Sequence, residues 1–330
     1  MKAWKIIYAA MGIFLAAGSI VTGKYGLSEK NITIYREALA LDETMRELGF
    51  ENFSLKTVKV RFYNGNCDYV ASVDTSADEE NHIFIKKEKA QLDVFAGTTV
   101  EADGQWQVLL PTYEQFSGLF DALETLDSYE QGMQEGSFAF SESEYSESSH
   151  AATIWHEAFH AWQAENGIED VEELMAQAGV DDEDTREDII VKEVDSDREL
   201  RELFTEEMLL LTEAYQTKQP EKKKELVVKA LEIAEKREEK LTSEAKAMEY
   251  FLENYEGSAR YVESMAYREL ENETAWKTAY LSEFEYRNGS EKYYKLGMMK
   301  CMLLDQIYDG WQEKYSGKTG LDEFLKDAVR

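Results

Sequence analysis

The amino-acid sequence predicts an α+β fold, in which a small antiparallel N-terminal sheet is followed by a mainly helical C-terminal part. Apolar and polar residues alternate in short runs between residues 57 and 109, as in half-buried strands. Beyond Pro111 the apolar residues recur at helical spacing, and Pro220 separates two long stretches of this kind. The alternation predicts the sheet, and the helical spacing beyond Pro111 predicts the helical part. The break at Pro220 predicts a long helical hairpin within that part.

The first residues indicate a targeting segment over residues 1–23. Lys2 and Lys5 precede an apolar run at 6–21, and small residues occupy 16–19. This pattern is typical of a secretory signal peptide. The run is shorter than the roughly 20 residues that a membrane-spanning helix prefers, so an uncleaved N-terminal anchor is the alternative. Either way we expect the rest of the chain to be secreted or extracytoplasmic, with membrane contact only through this segment.

The strand-rich part is predicted to cover residues 30–111. It opens with an amphipathic helix at 32–48, where apolar residues follow a helical period. Strands are then predicted at 57–63, 83–85 and 105–109 from alternating or β-branched and aromatic residues.

The helical part is predicted to cover residues 112–330, with the hairpin as an insert at about 168–252. Leu200, Phe204 and Met208 belong to a helical apolar series before Pro220, and a nearly heptad series begins at Val227 after it. The charged residues of both arms are predicted to face solvent.

The charge of the chain limits its partners. With 330 residues and a net charge of −31, it would repel nucleic acid, and no basic patch interleaved with aromatics opposes this. We therefore predict no nucleic-acid partner.

Two cysteines, Cys67 and Cys301, are too few for a disulfide framework or a thiolate zinc site. They can form one bridge or remain two free thiols, and the sequence favours neither.

The clearest chemical signal is the segment His156-Glu157-Ala158-Phe159-His160. Residues four apart lie on one face of a helix, so both imidazoles can reach one ion. Zinc accepts neutral imidazole, and a catalytic zinc site needs three protein ligands and one open position. Glu157 is placed to act as the general base on a metal-activated water. His150 lies off this face and is predicted to be a surface residue.

The third ligand must be a carboxylate, because no histidine follows His160. Glu193 and Asp195 on the first hairpin arm are possible ligands. The better candidate lies in the string Glu256-Gly257-Ser258-Ala259-Arg260-Tyr261-Val262-Glu263.

That string resembles the glutamate helix of the gluzincin zinc metallopeptidases, in particular the aminopeptidase N and thermolysin-like group. The resemblance implies that Glu256 is the third zinc ligand and that Glu263 supports the cluster from outside. Tyr294-Lys295-Leu296-Gly297 is similar to a Tyr-x-x-Gly helix start in that group, which implies that Tyr294 stabilises the tetrahedral intermediate. The neighbouring Tyr293 could serve instead. Arg260 is predicted to pair with a carboxylate on the same helix face.

The resemblance covers three short segments and departs from the group in two respects. Residues 161–255 separate the histidines from Glu256, which is far longer than in the group, and no Gly-x-Met-Glu-Asn exopeptidase motif is present. A helical hairpin returns to its origin, however, so Glu256 can lie beside His160.

Together these features predict a zincin-like fold and a zinc-dependent peptide hydrolase that acts on a peptide or protein substrate added at the edge of the sheet. The alternative is an inactive metal-binding extracellular surface or interaction protein on the same fold.

Overall fold

In a computed structural model the chain forms an α+β fold, described for residues 26–74, 82–92, 94, 96–118, 145–168, 174, 178, 189–316 and 319–330. The predicted signal or anchor segment 1–23 lies outside the described residues, as does most of the start of the predicted hairpin insert. No helix within the described ranges is long and apolar enough to cross a membrane.

The sheet has five strands and is mixed, so the prediction of an antiparallel sheet is wrong. The strands are β1 (Val60–Tyr63), β2 (Cys67–Asp74), β3 (His82–Lys89), β4 (Thr98–Ala102) and β5 (Gln105–Pro111). Their order is β3-β2-β1-β5-β4, and β1 pairs parallel with β5 while the other pairs are antiparallel. The parallel pair arises because the β4–β5 hairpin brings β5 back beside β1 in the same direction.

The predicted strands at 57–63, 83–85 and 105–109 fall within or overlap β1, β3 and β5. Strand β1 begins only at Val60, because Leu55–Thr57 forms a 3-10 turn. Strands β2 and β4 were not predicted.

Eleven α-helices and two π-helical turns are described. The helices are α1 (Glu29–Ala40), α2 (Asp42–Arg46), α3 (Glu147–Glu165), α4 (Arg198–Gln216), α5 (Pro220–Glu238), α6 (Ser243–Phe251), α7 (Gly257–Leu270), α8 (Glu273–Tyr280), α9 (Glu291–Ile307), α10 (Trp311–Lys314) and α11 (Leu321–Val329). The π-turns span Val191–Asp195 and Leu252–Glu256. The predicted helix at 32–48 therefore forms as two pieces, α1 and α2, which meet at Leu41.

Helix α3 occupies the centre of the core. Its residues are apolar on nearly every face, with Ile154, Trp155 and Phe159 fully buried, which is typical of a helix enclosed by other elements. It contacts β4, β5, α1 and α7, and the Trp155 indole donates to the carbonyl of Ala38 at 3.1 Å. Side chains on this helix are therefore held on a rigid support.

The helical hairpin is confirmed as α4 and α5. Pro220 begins α5, where a missing N–H costs nothing, and Phe204 and Val227 are buried in the core. Inside the packing, Arg237 of α5 binds Glu207 of α4 at 3.0 Å. The hairpin packs against α9 and α11, and α6 then carries the chain back to the π-turn before α7.

Cys67 and Cys301 are both buried free thiols, so they are not bridged to each other.

Candidate metal centre

Helix α3 brings His156 and His160 onto one face. The helix starts at a capping box in which Ser146 and Ser149 exchange side-chain and backbone hydrogen bonds. The Nε2 atoms of the two histidines lie 3.0 Å apart, and both side chains are buried. The predicted pair of imidazole ligands is therefore preformed.

Glu256 completes a group of three possible ligands. Its Oε2 lies 3.5 Å from Nε2 of His156 and 3.3 Å from Nε2 of His160. For a tetrahedral zinc ion with bonds of 2.0–2.1 Å, ligand atoms are about 3.3 Å apart. The three atoms thus have the mutual spacing of three corners of a zinc tetrahedron.

Glu256 ends the π-turn Leu252–Glu256 and immediately precedes α7. A π-turn inserts an extra residue into a helical path and is frequent at functional sites. Here it sets the rotation at which α7 starts, and so directs Glu256 toward α3.

A side-chain oxygen lies close to the outer nitrogen of each histidine. Nδ1 of His156 lies 3.0 Å from Oε2 of Glu263, and Nδ1 of His160 lies 2.7 Å from Oε1 of Gln163. Groups that accept from Nδ1–H leave the Nε2 lone pair for a metal and fix the ring orientation. The position predicted for Glu263 is therefore the one observed.

Glu263 is itself fully engaged. Arg260 donates from Nη1 to both carboxylate oxygens, at 2.7 and 2.9 Å, and the Tyr280 hydroxyl donates to Oε1 at 2.9 Å. The predicted pairing of Arg260 with a carboxylate on its own helix is confirmed. These contacts hold Glu263 ionised and in place behind His156.

The carboxylates of the cluster favour a proton on His156. Burial alone would lower the pKa of His156, but hydrogen bonds to Glu256 and Glu263 raise it to about 10. Burial alone would raise the pKa of Glu256, but the two histidines lower it well below its usual range. Burial likewise opposes the ionisation of Glu263, yet the charges of Arg260 and His156 lower its pKa to about 2. A cation between these carboxylates is strongly favoured, and a divalent metal could replace the proton.

Glu157 lies beside the cluster without belonging to it. It is 6% exposed, and burial raises the pKa of its carboxyl while the two histidines oppose the rise. The start of β4 closes over it: the Thr99 hydroxyl donates to the Glu157 backbone carbonyl at 2.9 Å. A Cβ placed on Gly97 would lie 2.5 Å from Oε1 of Glu157, so a larger residue there would require the Glu157 carboxylate to move.

Tyr294 reaches the cluster from α9. Its hydroxyl lies near Glu256, and burial followed by the Glu256 charge raises the pKa of that hydroxyl. Tyr293 points elsewhere, since its hydroxyl donates to Glu249 and its ring packs edge-on against Phe204. Of the two tyrosines weighed from the sequence, Tyr294 is therefore the one at the site.

The alternative third ligands are engaged elsewhere. Glu193 accepts from the Thr242 hydroxyl at 2.8 Å. Asp195 is buried and accepts from the Tyr286 hydroxyl at 2.6 Å and the Lys292 ammonium at 2.9 Å. Neither joins the two histidines, so Glu256 is the acid at that position.

The prediction that His150 is a surface residue is wrong. Its side chain is fully buried, and Nδ1 lies 2.7 Å from the Tyr145 hydroxyl. The rings of Tyr113 and Phe116 also pack near it, and burial lowers the pKa of His150 to about 3. The first turn of α3 is covered by these aromatic side chains, which helical periodicity alone does not show.

Three residues of the site were not predicted. Gln163 holds His160, the Tyr255 ring stacks on the His160 ring at 4.4 Å, and Gly97 abuts Glu157. The sequence could have indicated Gln163, because it is a polar residue three positions after His160 on a helix that is otherwise apolar there. No pattern in the sequence indicates Gly97.

No known protein family, curated protein or solved structure matches this chain. The chemistry of the cluster therefore follows from its own donors. Two imidazoles and one carboxylate form the donor set of a catalytic zinc site, whereas structural zinc sites have four protein ligands, usually including thiolates.

Proposed function

We propose that this protein is a zinc-dependent peptide hydrolase of the gluzincin type with a zincin-like fold. One observation carries the proposal: donor atoms of the buried His156 and His160 and of the half-buried Glu256 have zinc spacing, and a second carboxylate, that of the buried Glu157, lies beside them. A purely structural site has no need of an unligated acid next to the metal.

The donor set fits zinc, and the oxygens of Glu263 and Gln163 at Nδ1 can accept from Nδ1–H, which leaves both Nε2 atoms for a metal once His156 is neutral. Zinc bound by these three residues would lower the pKa of a coordinated water toward 7 and polarise a substrate carbonyl.

Glu157 is the general base in this proposal. Its carboxylate takes a proton from the attacking water and afterwards delivers that proton to the leaving amine. Burial raises the pKa of Glu157, which brings it closer to the pH at which proton uptake and release are both efficient. Gly97 and Thr99 keep the group against the edge strand and away from bulk water.

Tyr294 assists the zinc ion in stabilising the oxyanion in this proposal. Its hydroxyl, next to Glu256, can donate a hydrogen bond to the oxyanion that develops on the substrate carbonyl. The raised pKa keeps the hydroxyl protonated at neutral pH, as a donor must be.

The substrate would lie along β4. This strand is at one end of the sheet, pairs only with β5 among the described strands, and contacts Glu157 through Thr99. An extended peptide can add to such an edge by main-chain hydrogen bonds, which would place a peptide bond over the cluster.

The test is cleavage of a broad peptide pool by the zinc-loaded chain, followed by mass spectrometry, before and after chelation. Cleavage that stops on chelation and returns with zinc supports the hydrolase. A chain that binds one zinc yet cleaves nothing would support the alternative of an inactive metal-binding surface or interaction protein.

A further inference from the structure

The far end of the sheet carries an unusual concentration of exposed apolar side chains. Among the described residues, the large apolar side chains that remain exposed are Phe84, Ile85, Leu92, Leu209 and Val228. Three of them lie on β3 or just after it, with Phe84 57% and Leu92 53% exposed. Strand β3 is the edge strand opposite β4.

The same strand is basic in a chain whose net charge is −31. Lys86, Lys87 and Lys89 are all exposed. The acid between them, Glu88, is held by Lys86 at 2.8 Å and by the buried Arg61 at 2.9 Å. We call Phe84, Ile85, Lys86, Lys87, Lys89 and Leu92 the β3 surface; it combines apolar groups with three exposed lysines, of which Lys86 is paired with Glu88.

The first described residue, Gly26, lies beside this surface. The Tyr69 hydroxyl on β2 is hydrogen-bonded to the backbone of Gly26, the first described residue. The ammonium of Lys87 lies 5.8 Å from the centre of the Tyr69 ring. The described chain therefore begins next to the β3 surface, and in the sequence the apolar run at 6–21 comes shortly before that point.

We propose that the β3 surface rests on an anionic lipid membrane, next to the point where the N-terminal segment meets it. Successive side chains of an edge strand point to opposite faces of the sheet, so a plane laid along the edge meets both Phe84 and Ile85. Lysines and aromatic residues together are typical of membrane-interface surfaces.

The acidity of the whole chain does not prevent this contact. Charges in solution are screened beyond about 10 Å at ordinary salt, so the lysines closest to the lipid dominate. The inference goes beyond the proposed hydrolase and is independent of it. If both hold, the cleft at β4 stands four strand spacings, about 19 Å, from the lipid, and faces away from it.

The test is partition of the purified full chain into phosphatidylcholine vesicles with and without phosphatidylglycerol. The ratio of the two partition coefficients isolates the anionic contribution from that of the apolar N-terminal segment. We expect added phosphatidylglycerol to increase binding, and high salt to remove the increase. Replacing Lys86, Lys87 and Lys89 with Gln should lower the ratio by on the order of 100-fold, at about fivefold for each lysine near the lipid.

The matched control replaces three exposed lysines of the hairpin region, Lys218, Lys224 and Lys236, with Gln and should leave the ratio unchanged. Equal melting temperatures for the three proteins show that folding is intact. A wild-type ratio near one, or an equal drop in the control, would overturn the proposal. Lysine-dependent binding of an acidic extended peptide, without binding to vesicles, would instead assign the β3 surface to a protein strand.

Discussion

Gly257 and Gly297 lie in direct backbone contact: a Cβ on Gly257 would be 2.6 Å from the Cα of Gly297. A Cβ on Gly297 would in turn collide with the carbonyl oxygen of Glu253. This close crossing of α7 and α9 places Tyr294, one turn before Gly297, beside Glu256, one residue before Gly257. The two short motifs seen in the sequence are thus the two sides of one helix contact.

Gly297→Ala should therefore separate the two helices. Alanine normally favours a helix over glycine by about 1 kcal/mol, but here the obstacle is backbone that cannot move aside cheaply. We expect a loss of about 1–3 kcal/mol in the free energy of unfolding, measured by urea denaturation of the metal-free chain. Gly118→Ala, where a Cβ meets nothing within 4 Å, is the control and should cost nothing. A Gly297→Ala chain as stable as the control would contradict the contact.

Zinc binding should release a proton from His156. The raised pKa of about 10 keeps His156 protonated at neutral pH, and a metal ligand must be neutral. Titration calorimetry just below pH 7, in two buffers of different ionisation enthalpy, should show release of about one proton per zinc. Glu263→Gln, which removes one of the raising carboxylates, should reduce the release. A binding heat that does not depend on the buffer would contradict the claim that His156 is protonated before zinc binds.

The same raised pKa predicts how the metal-free chain responds to alkali. The folded pKa of His156 lies above its ordinary 6.5, so its stabilisation is complete below pH 6.5. The free energy of unfolding should then fall as the pH rises from 6.5 through about 10, which urea denaturation at stepped pH would measure. Bound zinc should abolish this part of the pH dependence, since His156 is then neutral throughout.

The outer partners of the histidines should tune zinc affinity. Glu263→Gln and Gln163→Ala each remove a group that orients one imidazole. Each should weaken zinc binding by about 10- to 100-fold, measured by competition with a chromophoric chelator. Glu269→Gln, on the exposed face of the same helix as Glu263, should leave the affinity unchanged. Equal affinities in all three variants would mean that the outer contacts are incidental.

Gly97 should matter only because Glu157 is there. In the wild-type background, Gly97→Ala pushes a methyl group against the Glu157 carboxylate and should cost about 1–3 kcal/mol of unfolding free energy. In the Glu157→Ala background the obstacle is absent, and the cost should largely vanish. Urea denaturation of the four metal-free proteins measures this coupling without an activity assay. The same cost in both backgrounds would show that Gly97 is required for another reason.

The sequence indicated the three residues that form the cluster because two of them are close along the chain and the third belongs to a recognisable motif. His156 and His160 are four residues apart on one helix, and Glu256 was indicated by the residues that follow it. The return of the chain to Glu256 followed from the hairpin pattern around Pro220.

The sequence does not show which strands pair or which residues line the site, because these contacts join distant parts of the chain. The parallel pairing of β1 with β5 joins residues 60–63 to 108–111, and no local pattern specifies such a distant partner. Gly97 meets Glu157 only after β4 has docked on α3. His150 is covered by the aromatic rings of Tyr113 and Phe116 from the segment that follows β5, so its own position on the helix gave the wrong answer.

In the proposed function, Glu157 moves protons at a zinc site without binding the metal. Glu157→Gln keeps the size of the side chain but removes the base. The variant should retain about one zinc per chain by elemental analysis after dialysis, while its cleavage of a peptide pool falls by on the order of 10²-fold or more. The paired His156→Ala and His160→Ala chain should lose the zinc. Cleavage by Glu157→Gln at the wild-type rate would contradict its role as the base, and full zinc retention without both histidines would contradict the metal site.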